Sequence, residues 1–184
     1  MKLLLSEILE KANKATTNEE RVAILKQHET PALRGFMRIN FDHTVNMGLP
    51  DGVPPYKKPD NPIGYDHVLL ENEYKKFYIW LDVNTKLSKI KKEQLFIQLL
   101  ESLHNSESEL LCEIKDQILD QRLTNLNFDF VKSVFPNSLP ENDMRVKKIV
   151  SQPIVDIVQP EVQTKVEVEQ PVKKGRGRPR KNPV

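Results

Sequence analysis

The last aromatic residue of this 184-residue chain is Phe135. Large rings supply much of the apolar area that closes a small core, so the residues beyond it have little with which to build one. From Ile149 to Val172 the chain carries single valines among Gln and Glu, broken by Pro153, Pro160 and Pro171. Low hydropathy with proline punctuation is the composition of an unfolded segment. The expected organisation is therefore a helical domain over 1–136, a flexible Pro/Val-rich linker over 137–172 and a basic tail over 173–184. As a coil the linker spans about 30–35 Å root-mean-square. The alternation Val162-Gln163-Thr164-Lys165-Val166-Glu167-Val168 would also suit a strand formed against a partner.

Within 1–136 the apolar pattern is helical. Leu4, Leu5, Ile8, Leu9 and Ala12 recur at helix spacing. Thr17, three residues before Glu20, has the form of a capping box, opening a helix with Val22, Ala23 and Leu25 on its apolar side. Thr30-Pro31 pairs a good cap with a good first helical residue, followed by Leu33, Phe36, Met37 and Phe41. Ser88 begins the strongest helix, to about His104, with Leu95, Phe96, Leu99, Leu100 and Leu103 in its stripe. Ser106-Glu107-Ser108-Glu109 repeats the capping signature before Leu110, Leu111, Ile114 and Ile118. Phe128, Val131, Val134 and Phe135 make a last short helix ended by Pro136. The fold class this predicts is all-α: a small irregular helical domain with a long Pro-rich loop, then a disordered basic C-terminal tail.

The loop is residues 48–64, which hold prolines at 50, 54, 55, 59 and 62 and glycines at 48, 52 and 64. Missing donors and restricted neighbours exclude helix and central strand there, and a loop this long is often functional. After it, Tyr74, Phe77, Tyr78 and Leu81 fit one helical face, although Phe77–Leu81 would also suit a strand by propensity. Trp80 falls off that face, so an exposed Trp80 would be a contact for a protein or nucleic-acid partner.

The chemistry-bearing residues give little sign of catalysis. Asp42-His43 and Asp66-His67 flank the loop. Acid–base or metal work there would need the four to meet in space, and surface or capping roles are the default for such histidines. The single cysteine, Cys112, sits beside Leu110-Leu111 and reads as a buried structural thiol. It excludes an internal disulfide and a Cys-based zinc site. No Walker loop, Gly-x-Ser-x-Gly elbow or His-Glu-x-x-His is present. The expectation is a non-enzyme with no catalytic residues, metal or cofactor. The apolar start, Met1 to Ser6, is cut by Glu7 and Glu10 before it reaches a signal-peptide core. No stretch of about 20 apolar residues exists, so a soluble intracellular protein is expected, with no membrane partner.

Charge is unevenly placed. Residues 1–144 carry 18 Lys+Arg against 22 Asp+Glu, and residues 145–184 carry 10 against 4. An acidic body with a basic extension is the pattern of a nucleic-acid-binding tail. At its centre stands Arg176-Gly177-Arg178-Pro179, flanked by Lys173, Lys174, Arg180 and Lys181. These residues resemble the AT-hook, a short DNA-binding peptide of chromatin and regulatory proteins. The minor groove over A·T pairs is narrow and strongly negative, and attracts arginine. Guanine places an amino group on that groove floor. Gly177 lets the backbone approach the floor, Arg176 and Arg178 run along it, and Pro179 stiffens the extended form. The four flanking cations neutralise phosphates. Gly175 stands where hooks often carry proline, which reduces preorganisation. A nuclear-import or nonspecific RNA-binding tail shares the same charge. A single hook binds weakly, so the domain, an oligomer or a partner must add affinity.

Four segments occur together in order: Thr30-Pro31-Ala32-Leu33-Arg34 leading to Phe41-Asp42, Leu49-Pro50-Asp51-Gly52-Val53-Pro54-Pro55-Tyr56, Phe96 to His104, and Val134-Phe135-Pro136. This combination resembles a family of small, functionally uncharacterised proteins encoded by T4-like phages, many from marine hosts, over residues 5–136. The resemblance implies a phage origin and a bacterial host cytoplasm, and brings no activity or catalytic residue. The functional expectation is an accessory protein that binds AT-rich double-stranded DNA through its tail in transcription, replication or genome handling. The alternative is an adaptor that grips a phage or host enzyme through the helical domain.

Overall fold

Side-chain caps set where the helices begin. Thr17 Oγ1 accepts from the Glu20 N–H at 3.2 Å, and the Glu20 carboxylate accepts in return from the Thr17 N–H at 3.3 Å. Thr30 accepts from the Leu33 N–H at 3.1 Å, Ser88 from the Lys91 N–H at 3.3 Å and Asn127 from the Phe130 N–H at 2.9 Å. Each such cap contributes about 1 kcal/mol relative to alanine. The computed structural model describes residues 3–58, 68–82, 86–143 and 145, all inside one unit, Met1–Ile149. In chain order the helices are α1 (Leu5–Lys14), α2 (Asn18–Gln27), α3 (Pro31–Phe41), α4 (Leu70–Glu73), a 3-10 helix (Tyr74–Ile79), α5 (Lys89–Ser102), α6 (Asn105–Lys115), α7 (Leu119–Arg122) and α8 (Phe128–Val134). The described residues contain no strand, only an isolated antiparallel bridge between Met47 and Leu81. The fold is all-α.

α6 is the central element. It packs against α1, α3, α5 and α7, and Leu110, Leu111 and Ile114 are fully buried on it. Its first turn corrects the expected capping box. His104, not Ser106, is the cap, its Nδ1 accepting from the Ser106 N–H at 3.3 Å. Glu107 does not turn back to the helix end. It is buried and accepts from the Leu5 N–H at 3.2 Å and the Leu70 N–H at 2.9 Å, tying the starts of α1 and α4 to the core. An unpaired buried N–H is costly, so this one carboxylate serves two helix entries.

The aromatic stretch differs from expectation for a geometric reason. Residues 74–79 form a 3-10 helix with three residues per turn. Its repeat aligns Tyr74, Phe77 and Trp80, where the α-helical repeat would align Tyr74, Phe77, Tyr78 and Leu81. Trp80 is therefore buried, and Tyr78 is 62% exposed. The Trp80 ring lies edge-on to Phe77 at 5.1 Å and Phe96 at 6.0 Å, and its Nε1–H donates to the Lys92 carbonyl at 3.0 Å. That arrangement satisfies both the apolar body and the polar handle of the indole.

α6 also ends earlier than the stripe through Ile118 suggests. Gln117 adopts φ 59°, a left-handed conformation uncommon outside glycine and asparagine. Its side chain offsets that strain: Nε2 donates to the carbonyls of Ile39 at 2.9 Å, Asp42 at 3.1 Å and Val45 at 3.2 Å. The end of α3 is thereby fixed to the turn after α6. Packing continues past Pro136 into the stretch assigned to the linker. Leu139 is buried, and the Arg145 guanidinium contacts Asp120 at 2.9 Å and lies 4.5 Å from the centre of the Phe41 ring.

Candidate interaction site

Residues 49–58 form a strap laid over α5 and α6. Two points near its start are held by the end of α6. The Lys115 ammonium donates to the Pro50 carbonyl at 2.7 Å, and the Asp116 carboxylate accepts from the Gly52 N–H at 3.1 Å. Lys115 and Asp116 pair with each other, with side chains only 2% and 9% exposed. Gly52 takes φ +85°, a conformation that glycine adopts without steric cost. At the far end, the Lys57 N–H donates to Glu101 at 3.1 Å and Lys58 pairs with Glu109 at 2.9 Å. Between the anchors lie Val53, 66% exposed, and Pro54-Pro55. The prolines offer no backbone donor and favour an extended form. A groove of about 360 Å³ runs beside the strap, walled by Glu93, Phe96 and Ile97 of α5.

A second groove, of about 380 Å³, lies between α3 and the 3-10 helix. Tyr74, Phe77 and Tyr78 line it with Ile39, Val45 and Leu81, and Arg38 and Lys75 stand exposed at its edge. Gly35 shapes it. A Cβ there would come within 2.1 Å of the Tyr74 ring, so only glycine lets that ring lie against the α3 backbone. Phe36 supports the ring from below, edge-on at 5.5 Å.

The residues expected to touch DNA (Lys173, Lys174, Arg176, Gly177, Arg178, Pro179, Arg180 and Lys181) lie outside the described residues. So do Asp66 and His67, leaving only Asp42 and His43 of the four loop-flanking groups. Asp42 is buried at the end of α3 and accepts from the Thr44 hydroxyl at 2.6 Å and the Thr44 N–H at 2.9 Å. Burial works against its charge, but those two hydrogen bonds and Arg38 hold its carboxyl below the usual range. This is a turn-forming role. Cys112 is buried, and burial pushes its thiol up to about 12.

The sequence reading missed Lys115-Asp116 as a clamp and Arg38, Lys75 and Tyr78 as a groove edge. A Lys-Asp pair at a helix end reads as ordinary surface charge, and only the path of the strap reveals that it is buried.

Residues 8–121 match a family described as a family of unknown function (DUF6433). The chain belongs to this family. The match spans α2 to α6 and the strap, so both grooves belong to the DUF6433 portion, whereas the basic tail lies beyond it. No curated protein matches the sequence.

Proposed function

We propose that this DUF6433 protein is a phage DNA-binding accessory protein whose basic tail holds AT-rich duplexes while the helical domain works beside them in the host cytoplasm. The observation that carries the reading is Arg176-Gly177-Arg178-Pro179, set among four further cations on an otherwise acidic chain. The chemistry is that of minor-groove recognition: two guanidinium groups in a narrow negative groove, separated by a residue small enough to reach its floor. Arg176 and Arg178 supply the A·T preference, and Lys173, Lys174, Arg180 and Lys181 supply affinity through phosphate neutralisation.

Fluorescence anisotropy of the full chain on A·T and G·C duplexes tests this. Binding should favour A·T tracts and weaken steeply with salt. Arg178→Ala should remove most of the A·T preference, and truncation after Val172 should abolish retention. Equal affinity for both duplexes would overturn the reading.

A second reading, a protein adaptor, is favoured by the strap: its ends are anchored by four side chains while Val53 and Pro55 between them are exposed. It predicts that truncation after Val172 leaves capture of a protein partner intact.

A further inference from the structure

We infer that the strap of one chain docks in the aromatic groove of a second copy, so that the protein self-associates through its helical domain. The two surfaces are complementary in chemistry. Grooves lined with aromatic rings are what extended proline-rich segments dock against. Tyr74, Phe77 and Tyr78 line one such groove, and Val53-Pro54-Pro55 is a segment of that kind, with Val53 and Pro55 exposed and Pro54 half-buried. Their charges are opposite as well. Lys75 stands exposed at the groove edge, where Arg38 already pairs with Asp42, and Glu93 walls the strap, which itself carries Asp51. Opposed potentials fix register and steer encounter.

Two further features favour a second copy as the occupant. The strap is rooted at Pro50 and Gly52 on the end of α6, which keeps Val53 away from its own chain's groove and lowers the ordering cost of docking. The grooves share no lining residue, and Val45 of one and Leu49 of the other lie on either side of the Met47–Leu81 bridge. Four residues of chain reach at most about 14 Å. Val45 and Leu49 are therefore no more than about 14 Å apart, so one edge of the groove lies near the root of the strap, and a two-fold axis between copies would seat both straps reciprocally and close the assembly at two.

The DNA consequence rests on the tail reading above. Two chains joined in this way carry two tails, and the second contact to a duplex becomes intramolecular.

Sedimentation velocity of the full chain without DNA tests the contact. The expected species has twice the 21.3 kDa chain mass. Lys75→Glu or Tyr78→Ala in the groove, and Val53→Asp in the strap, should each return it to a single chain. All three positions are exposed, and unchanged circular dichroism melts confirm folding. Combining Lys75→Glu with Glu93→Lys should restore the double mass. A single-chain mass for the wild type up to high micromolar concentration would overturn the inference. A dimer untouched by variants on either surface would overturn it equally. On a duplex with two A·T sites, Val53→Asp should lose at least about ten-fold in affinity while keeping its affinity for one site. If the dimer forms and no duplex is retained, the tail reading fails and the contact stands.

Discussion

Each end of the strap holds one backbone N–H on a carboxylate, Gly52 on Asp116 and Lys57 on Glu101, in opposite surroundings. At Pro50 and Gly52 the anchors are Lys115 and Asp116, a charge pair withdrawn from solvent. At Lys57 and Lys58 they are Glu101 and Glu109, with the Glu109 side chain 50% exposed and Lys58 58% exposed. Desolvated charges interact through a low dielectric and depend on their partners, whereas exposed ones are screened and exchange freely with solvent. One end is thus a fixed root, and the other a contact that opens locally at small cost. The difference assigns the register of the strap to the α6 terminus.

The largest effect should follow from removing one member of the root. Asp116→Ala leaves the Lys115 ammonium buried without its counter-charge and frees the Gly52 N–H. Breaking such a pair costs about 3–5 kcal/mol. Urea unfolding of the variant should show a loss of unfolding free energy of that size, read as the fall in midpoint multiplied by the m-value, and the double change Lys115→Met/Asp116→Leu should recover a substantial part of it. A loss under about 1 kcal/mol for Asp116→Ala would show that the two ends are equivalent after all.

This asymmetry also marks how far the sequence could be read. The helix starts were legible because Thr17, Thr30 and Ser88 sit immediately before apolar-periodic segments, and local hydrogen bonding decides such boundaries. The strap was legible as a loop from its prolines. Its function as a two-point bridge was not, because the residues that hold it are 44 to 65 positions away in the chain. Trp80 failed for a different reason: a 3-10 turn changes the repeat from 3.6 to three, and nothing in Tyr74–Ile79 distinguishes the two before packing with Phe36 and Phe96 decides. The Arg38–Lys75–Tyr78 groove edge was equally hidden, since it depends on Gly35 admitting the Tyr74 ring.

A smaller effect should appear with pH. Cys112 lies in α6 between the two anchors, and burial raises its thiol from 9.0 to about 12. The folded state therefore binds a proton that the unfolded chain releases. The stabilisation is fully present below pH 9 and is lost as pH rises from there towards 12, at up to about 1.4 kcal/mol per pH unit. Thermal melts between pH 8.5 and 10.5 should fall more steeply for the wild type than for Cys112→Ala. Parallel slopes would show that the thiol titrates freely and that this stretch of α6 is more open than its packing implies.

The smallest effect belongs to the outer end. Glu101→Ala removes the acceptor of the Lys57 N–H, but that group is exposed and can turn to water, so global stability should change by no more than about 0.5 kcal/mol. Hydrogen exchange gives the sharper reading. The Lys57 amide should lose its protection in Glu101→Ala while the Gly52 amide keeps its own, because local opening at one end need not propagate through a root fixed at the other. Loss of protection at both amides together would mean that the strap opens as one unit, and that the buried pair follows the exposed contact instead of holding against it.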